Sequence, residues 1–317
     1  FFFKQKTSYD IMPSLVGSEM CIRDRQRIPE VADIASIRSE NLVSVGSGSV
    51  GPNIWLELAN RINSIFQLEN DVDGIVVTHG TATLEETAYF LNLTVKSSKP
   101  VVITGAMRPP SSMGTDADLN LYNAVQLASD SSAGGRGVLT VLNQAIHSGR
   151  DVTKSDALRP ETFISPDWGP LGYVDSDHRV VFYRSPERKH TAASPFETAN
   201  RNTLPRVDVV YAYAGADGLL IDAVRNNQSD GLVLAGFGAG TFTPALESAA
   251  KSAVEQGISV VISTRSYKGR VVPTPRKHEY GFIVSDDLMP PKARVLLTLA
   301  LTITSDRDSI QKLFNEY

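Results

Sequence analysis

At 317 residues, with 42% hydrophobic and 21% charged side chains, the chain has the composition of a globular protein long enough for two domains of ordinary size. Its 31 Lys and Arg stand against 35 Asp and Glu for a formal net charge of −4, so no basic block offers a footprint for nucleic acid or for an anionic membrane surface. Apolar runs such as 231–236 and 258–263 fall far short of the roughly 18 residues of a membrane-spanning helix, and a single cysteine, Cys21, excludes an internal disulfide and a multi-cysteine zinc site, which leaves small-molecule chemistry as the leading class.

Residues 1–25, FFFKQKTSYDIMPSLVGSEMCIRDR, carry no helix or strand periodicity that continues into the next segment. Pro13, Gly17 and Glu19 interrupt the run of roughly 7–15 apolar residues that a signal peptide requires. The stretch resembles translated adapter or assembly read-through. It is therefore expected to be non-native, to carry no part of the fold and to stand where the true N-terminus is missing.

From Gln26 onward, β-branched runs alternate with amphipathic helical segments, the pattern of a parallel sheet with crossover helices. Ile54, Trp55, Leu58, Ile62, Ile65 and Phe66 lie on one face of a helix over 53–67, and 74–77 reads as a buried strand. The turn His79-Gly80-Thr81 follows, then a helix over 85–93 and a strand over 100–104 ending in Gly105-Ala106-Met107-Arg108-Pro109. A helix over 120–128 and a strand over 137–142 lead to Gly149-Arg150-Asp151-Val152-Thr153-Lys154. Three polar loops thus fall on one edge of one sheet, where open α/β sheets place ligands. Residues 186–204 are polar, hold two prolines and read as a linker. Strands over 207–211, 231–235 and 258–263, with helices over 218–226 and 244–256, give a second unit, closed by helical 291–302 and 306–314. The expected fold is α/β: a larger N-terminal parallel-sheet domain over 26–185, and a smaller α/β domain over 205–317.

Thr81 lies between a strand and a helix, where unpaired N–H groups and the helix dipole favour a carboxylate or an oxyanion. Thr83 with Glu86 three residues on reads equally as a capping box, and both readings hold together if Thr83 caps while Thr81 faces the cleft. Lys154 is either a solvated surface lysine or, desolvated beside a threonine, a base of lowered pKa. Ser47, in Val45-Gly46-Ser47-Gly48-Ser49, precedes a helix in a loop able to bind an anion, without the GxxxxGK[ST] pattern of a phosphate loop. Gly236-Phe237-Gly238-Ala239-Gly240 reads as a strand-to-helix turn and not as a dinucleotide fingerprint. His147, His178, His190 and His278 lack metal-ligand spacing.

Together, THGTATLEETAYFL (78–91), VVITGAMRPPSSMGTDADLNLYNAV (101–125), SGRDVTK (148–154), YGF (280–282) and PKARVLLTLAL (291–301) resemble the bacterial L-asparaginase/glutaminase family. The resemblance covers nearly all of 26–317. It implies hydrolysis of a carboxamide through an acyl-threonine, without metal or organic cofactor, in a homotetramer of intimate dimers whose active sites lie between subunits. It also implies that Thr81 and Lys154 form the catalytic pair, that Ser47 binds the substrate's α-carboxylate, and that backbone N–H groups near Thr81 and Ala106 face the oxyanion. The family's nucleophile motif, of Thr-Gly-Gly-Thr-Ile type, and its lid tyrosine have no match here. Thr7 and Tyr9 lack the shaping glycines and are no substitutes. Three further departures concern the substrate's α-ammonium: Ala82 replaces the family's aspartate, Gly48 its glutamine, and Thr274 falls at the position of a glutamate from the neighbouring subunit. Losing a buried charge partner costs several kcal/mol, so the expected substrate keeps its carboxylate and lacks the α-amino group. Three readings remain: an amidohydrolase of altered specificity, a plain L-asparaginase that converts L-asparagine to L-aspartate and ammonia, or a catalytically inactive ligand-binding or oligomerisation homologue; without the nucleophile motif the chain as given is expected to show little or no catalysis.

Overall fold

The computed structural model describes residues 2–4, 14–16 and 28–317, the first two segments by their backbone alone. Thr7, Tyr9 and Cys21 lie outside the described residues. The chain divides into two units, residues 1–202 and 203–317.

In the first unit the elements run β1 (Phe2–Lys4), β2 (Ser14–Val16), α1 (Val31–Ile34), β3 (Ser36–Arg38), α2 (Pro52–Leu68), β4 (Gly74–His79), α3 (Leu84–Thr94), β5 (Val101–Thr104), α4 (Ala117–Ser129), β6 (Val138–Leu142) and β7 (Ala145–Ser148). They continue with β8 (Thr153–Lys154), β9 (Phe163–Ile164), β10 (Gly172–Val174) and β11 (Val180–Phe182). Among the described residues one sheet has the order β11-β10-β7-β6-β5-β4-β1-β3, with β2 paired to β4 off that path. Its centre is parallel: β2, β4, β5 and β6 all run the same way. Every residue of β4, β5 and β6 is buried, which is why they read as continuous apolar runs and not as alternating ones.

The flanks differ from the sequence reading. Residues 1–25 were expected to carry no fold element, yet Ser14–Val16 pairs in parallel with Val77–His79 of β4, and Phe2–Lys4 pairs antiparallel with β3 and β4. At the other edge, β6 turns straight back into antiparallel β7, with Leu142 opposite Ala145 and the two turn residues Asn143 and Gln144 at φ 48° and 65°. This is the positive-φ hairpin that a right-twisted sheet favours. The strand pair β10 and β11 then extends the sheet by antiparallel pairing.

Residues 186–202 do not hang as a tether. Phe196 is fully buried, Ser194 Oγ donates to Leu93 O at 2.6 Å, Lys96 Nζ donates to Ser194 O at 2.6 Å, and Thr198 Oγ1 donates to Asn60 Oδ1 at 2.8 Å. The polar composition that suggested a linker serves instead to satisfy main-chain and amide groups on α2 and α3.

The second unit holds β12 (Val207–Tyr211), α5 (Leu219–Asn226), β13 (Gly231–Gly236), α6 (Pro244–Glu255), β14 (Ser259–Thr264), α7 (Pro275–Glu279), β15 (Ile283–Val284), α8 (Pro290–Ala300) and α9 (Arg307–Glu316). Its four strands are all parallel in the order β12-β13-β14-β15. Leu232, Leu234, Val260, Ile262 and Phe282 fill its core. The glycine-rich segment after β13 is a turn closed by pairing of Phe237 with Thr241, with Gly238 and Gly240 at positive φ, and Thr243 caps α6 by accepting from Leu246 N.

In the first unit α2 and α3 meet through Trp55 and Phe90, whose rings stack 5.3 Å apart at 28° with neither exposed. Phe90→Ala deletes one side of this stack, and the expected loss is about 3–5 kcal/mol of unfolding free energy, read from urea denaturation.

Candidate active site

The C-terminal ends of β4 and β5 bring two loops together closely enough that side chains are excluded. A Cβ on Gly105 would lie 2.3 Å from the His79 carbonyl oxygen and 3.4 Å from Thr81 Cγ2. A Cβ on Gly80 would lie 2.7 Å from Ser47 Oγ. The loops carrying Ser47, Thr81 and Ala106 therefore share one small region, each contact depending on a glycine.

Lys154, at the end of β8, completes it. Its Nζ donates to Thr81 Oγ1 at 2.9 Å, and its own backbone N–H donates to Glu85 Oε2 at 2.7 Å. Burial holds the Lys154 ammonium below the usual lysine range, against the smaller opposing pull of the Glu85 carboxylate. A lysine with a lowered pKa in hydrogen-bond contact with a threonine hydroxyl is equipped to take up a proton.

Ser47 sits in a single 3-10 turn, Ser47–Ser49, just ahead of α2. Its Oγ accepts from Ala82 N at 3.3 Å, and its carbonyl accepts from Thr83 Oγ1 at 2.7 Å. The capping box does not form. Thr83 occupies the N-cap position of α3 but accepts no cap bond from the helix amides; its hydroxyl instead donates to a carbonyl 36 positions away. Ala82 is exposed, and a Cβ at Gly48 would meet nothing within 4 Å. Neither position supplies an acidic side chain. Thr274 lies in the second unit, where its Oγ1 caps α7 by accepting from Lys277 N at 3.2 Å.

Several supporting residues were not singled out in the sequence. Asp116 accepts from Met107 N at 2.9 Å and from Arg108 N at 2.8 Å, while Asn120 donates to Gly105 O at 3.0 Å and to Asp116 Oδ2 at 3.0 Å. This carboxylate and amide hold the Ala106 loop in shape. Glu85 is the second addition, since it anchors Lys154 by its main chain. Buried His79 is the third. Its Nδ1 faces Gly80 O at 2.7 Å, its Nε2 faces Thr87 Oγ1 at 2.9 Å, and Trp55 Nε1 donates to the same hydroxyl at 2.9 Å. Among the described residues no cluster of three or more His, Cys, Asp and Glu is placed to hold a metal, and no helix is long and apolar enough to cross a membrane.

Burial lowers the His79 pKa from 6.5 to about 4. Between these values the unfolded chain binds a proton that the folded chain refuses, so this contribution to stability is complete above pH 6.5 and is lost as the pH falls toward 4. The loss is on the order of 3 kcal/mol. Denaturant titrations across this range are expected to show a shallower pH slope in His79→Gln than in the parent chain.

Comparison with known proteins places this geometry in context. Residues 8–188 match the family described as Asparaginase, N-terminal, and residues 206–314 match the Glutaminase/Asparaginase C-terminal domain. The L-asparaginase 2 of Bacillus subtilis (strain 168) is 46% identical over 303 residues, covering 96% of this chain and 79% of its own length. The L-asparaginase 2 of Escherichia coli (strain K12) is 44% identical, with 92% and 83% covered. The Glutaminase-asparaginase of Pseudomonas fluorescens biotype A is 38% identical, with 95% and 83% covered. A crystal structure described as a probable cytoplasmic L-asparaginase from Campylobacter jejuni superposes with a TM-score of 0.93 at 40% identity, over 98% of this chain and 99% of that one. The sequence matches span both units and the structural match covers 98% of the chain: the chain belongs to the asparaginase/glutaminase family.

Proposed function

We propose that the chain hydrolyses a small carboxamide that carries a carboxylate and lacks an α-amino group, releasing ammonia. The observation that carries the reading is the 2.9 Å contact between Lys154 Nζ and Thr81 Oγ1, made by a lysine that burial holds below its usual pKa. The threonine of a family-type nucleophile motif, which has no match in residues 1–25, attacks the carboxamide carbon, the C–N bond breaks, ammonia leaves with the transferred proton, and water then cleaves the acyl-threonine ester to the acid. Thr81 relays a proton to the neutral Lys154 amine, and the amides of Thr81 and Ala106 stabilise the oxyanion. Ser47 holds the carboxylate. The names of the relatives, asparaginase and glutaminase-asparaginase, support an amide substrate.

Ala82 and Gly48 support the narrower specificity. Both lie beside Ser47, and neither offers a negative charge to an α-ammonium. Desolvating an unpartnered ammonium would cost several kcal/mol, so L-asparagine is the poorer substrate and succinamate, its des-amino analogue, the better one.

We also assign the protein a homotetrameric assembly. Tyr211, Tyr213, Leu219 and Leu220 are all about half or more exposed within one stretch of the second unit, an apolar concentration that a partner copy would cover. Light scattering on the eluting peak is expected to give four times the chain mass, and a monomeric mass would refute the assignment.

The function is tested by ammonia release from this chain, and from the same chain with residues 1–25 replaced by a complete family-type N-terminal segment, on succinamate, L-asparagine and L-glutamine. Turnover is expected from the chain with the replaced segment, with succinamate ahead of both amino acids. A preference for L-asparagine overturns the specificity, and no turnover on any amide by either chain favours an inactive binding homologue. Lys154→Met is expected to lower kcat about 10²- to 10⁴-fold, the usual worth of a general base.

A further inference from the structure

The polar chain behind Thr81 has a direction that the chemistry of its members fixes. The Gly80 carbonyl oxygen has no proton, so the 2.7 Å contact with His79 Nδ1 requires the proton to sit on Nδ1. Burial keeps the imidazole neutral, so its Nε2 is bare and must accept from the Thr87 hydroxyl 2.9 Å away. The indole N–H of Trp55 only donates, and it fills a lone pair of that same hydroxyl at 2.9 Å. Every bond then points the same way, from Trp55 through Thr87 and His79 to the Gly80 carbonyl. That carbonyl belongs to the Gly80–Thr81 peptide, which carries the Thr81 N–H and sets the direction of its side chain.

We propose that His79, held as its Nδ1–H tautomer by Thr87 and Trp55, is a positioning residue that locks the Gly80–Thr81 peptide plane and so aims the Thr81 hydroxyl at Lys154. It touches no substrate and moves no proton during turnover. The bond to Gly80 O also polarises the peptide, which strengthens the Thr81 N–H as a donor. The consequence for catalysis rests on the function proposed above, whereas the tautomer and the Thr81–Lys154 alignment do not.

Long-range 1H–15N correlation spectra of the full chain read the tautomer directly. His79 is expected to show a protonated Nδ1 and a bare Nε2 throughout pH 5–8, a window lying above the value of about 4 to which burial lowers it. A protonated Nε2 or a titration near 6.5 overturns the proposal. The second arm compares Thr87→Val with Thr87→Ser, each at a temperature where circular dichroism shows it folded. Valine removes the hydroxyl at similar volume, and serine restores it. With succinamate as substrate, Thr87→Val is expected to lower kcat about 10- to 100-fold with little change in KM, and Thr87→Ser to recover most of it. A folded Thr87→Val with the parent kcat overturns the positioning role. If the parent turns over no amide, the functional reading fails separately and the readout becomes the 15N titration of the Lys154 ammonium. That titration is expected to shift in Thr87→Val and not in Thr87→Ser, and identical titrations in all three chains overturn the proposal.

Discussion

The site depends on a close approach of two backbones. Parallel pairing of β4 with β5 runs both strands out on the same side, and Gly105 then lies so near the His79 carbonyl that even a methyl group is excluded. Thr81 and the Ala106 loop become neighbours because nothing larger than hydrogen separates them. The same logic recurs at Gly80, where a missing Cβ admits the Ser47 hydroxyl. Such contacts leave little freedom for alternative packing, and they fix the spacing between groups contributed by distant parts of the chain.

Around that contact the polar groups are arranged as supports. Asp116 and Asn120 shape one loop through its amides and a carbonyl, and the His79 chain shapes the other through the Gly80 carbonyl. In each case the holding group is a side chain on or beside a regular element and the held group is loop backbone. The candidate site's side chains therefore inherit their placement from secondary structure.

The alternation of β-branched runs with amphipathic segments made the parallel centre and the second unit readable from the sequence, because fully buried strands and helix faces impose periods that survive without tertiary information. Short antiparallel strands impose no such period. Gly172–Val174 and Val180–Phe182 are three residues each and were not legible, and neither was the pairing of Ser14–Val16 with β4. Resemblance pointed to Thr81, Lys154 and Ser47, whose loops the structure brings together, whereas the Thr83 capping box does not form and its hydroxyl turns instead to a tertiary carbonyl at Ser47. The roles of Asp116 and His79 lie in bonds to main-chain atoms, which have no residue identity to read. Their partners become visible only once the loops are folded.

The bond between Glu85 and the Lys154 backbone separates where the lysine stands from what it is. Glu85 recognises an amide that every residue except proline possesses, so the anchoring at position 154 carries over when the amine is changed. The reach, basicity and charge of the side chain can then vary independently of the scaffold. This is a modular layout: one part of the site secures the backbone address, and another is open to chemical substitution.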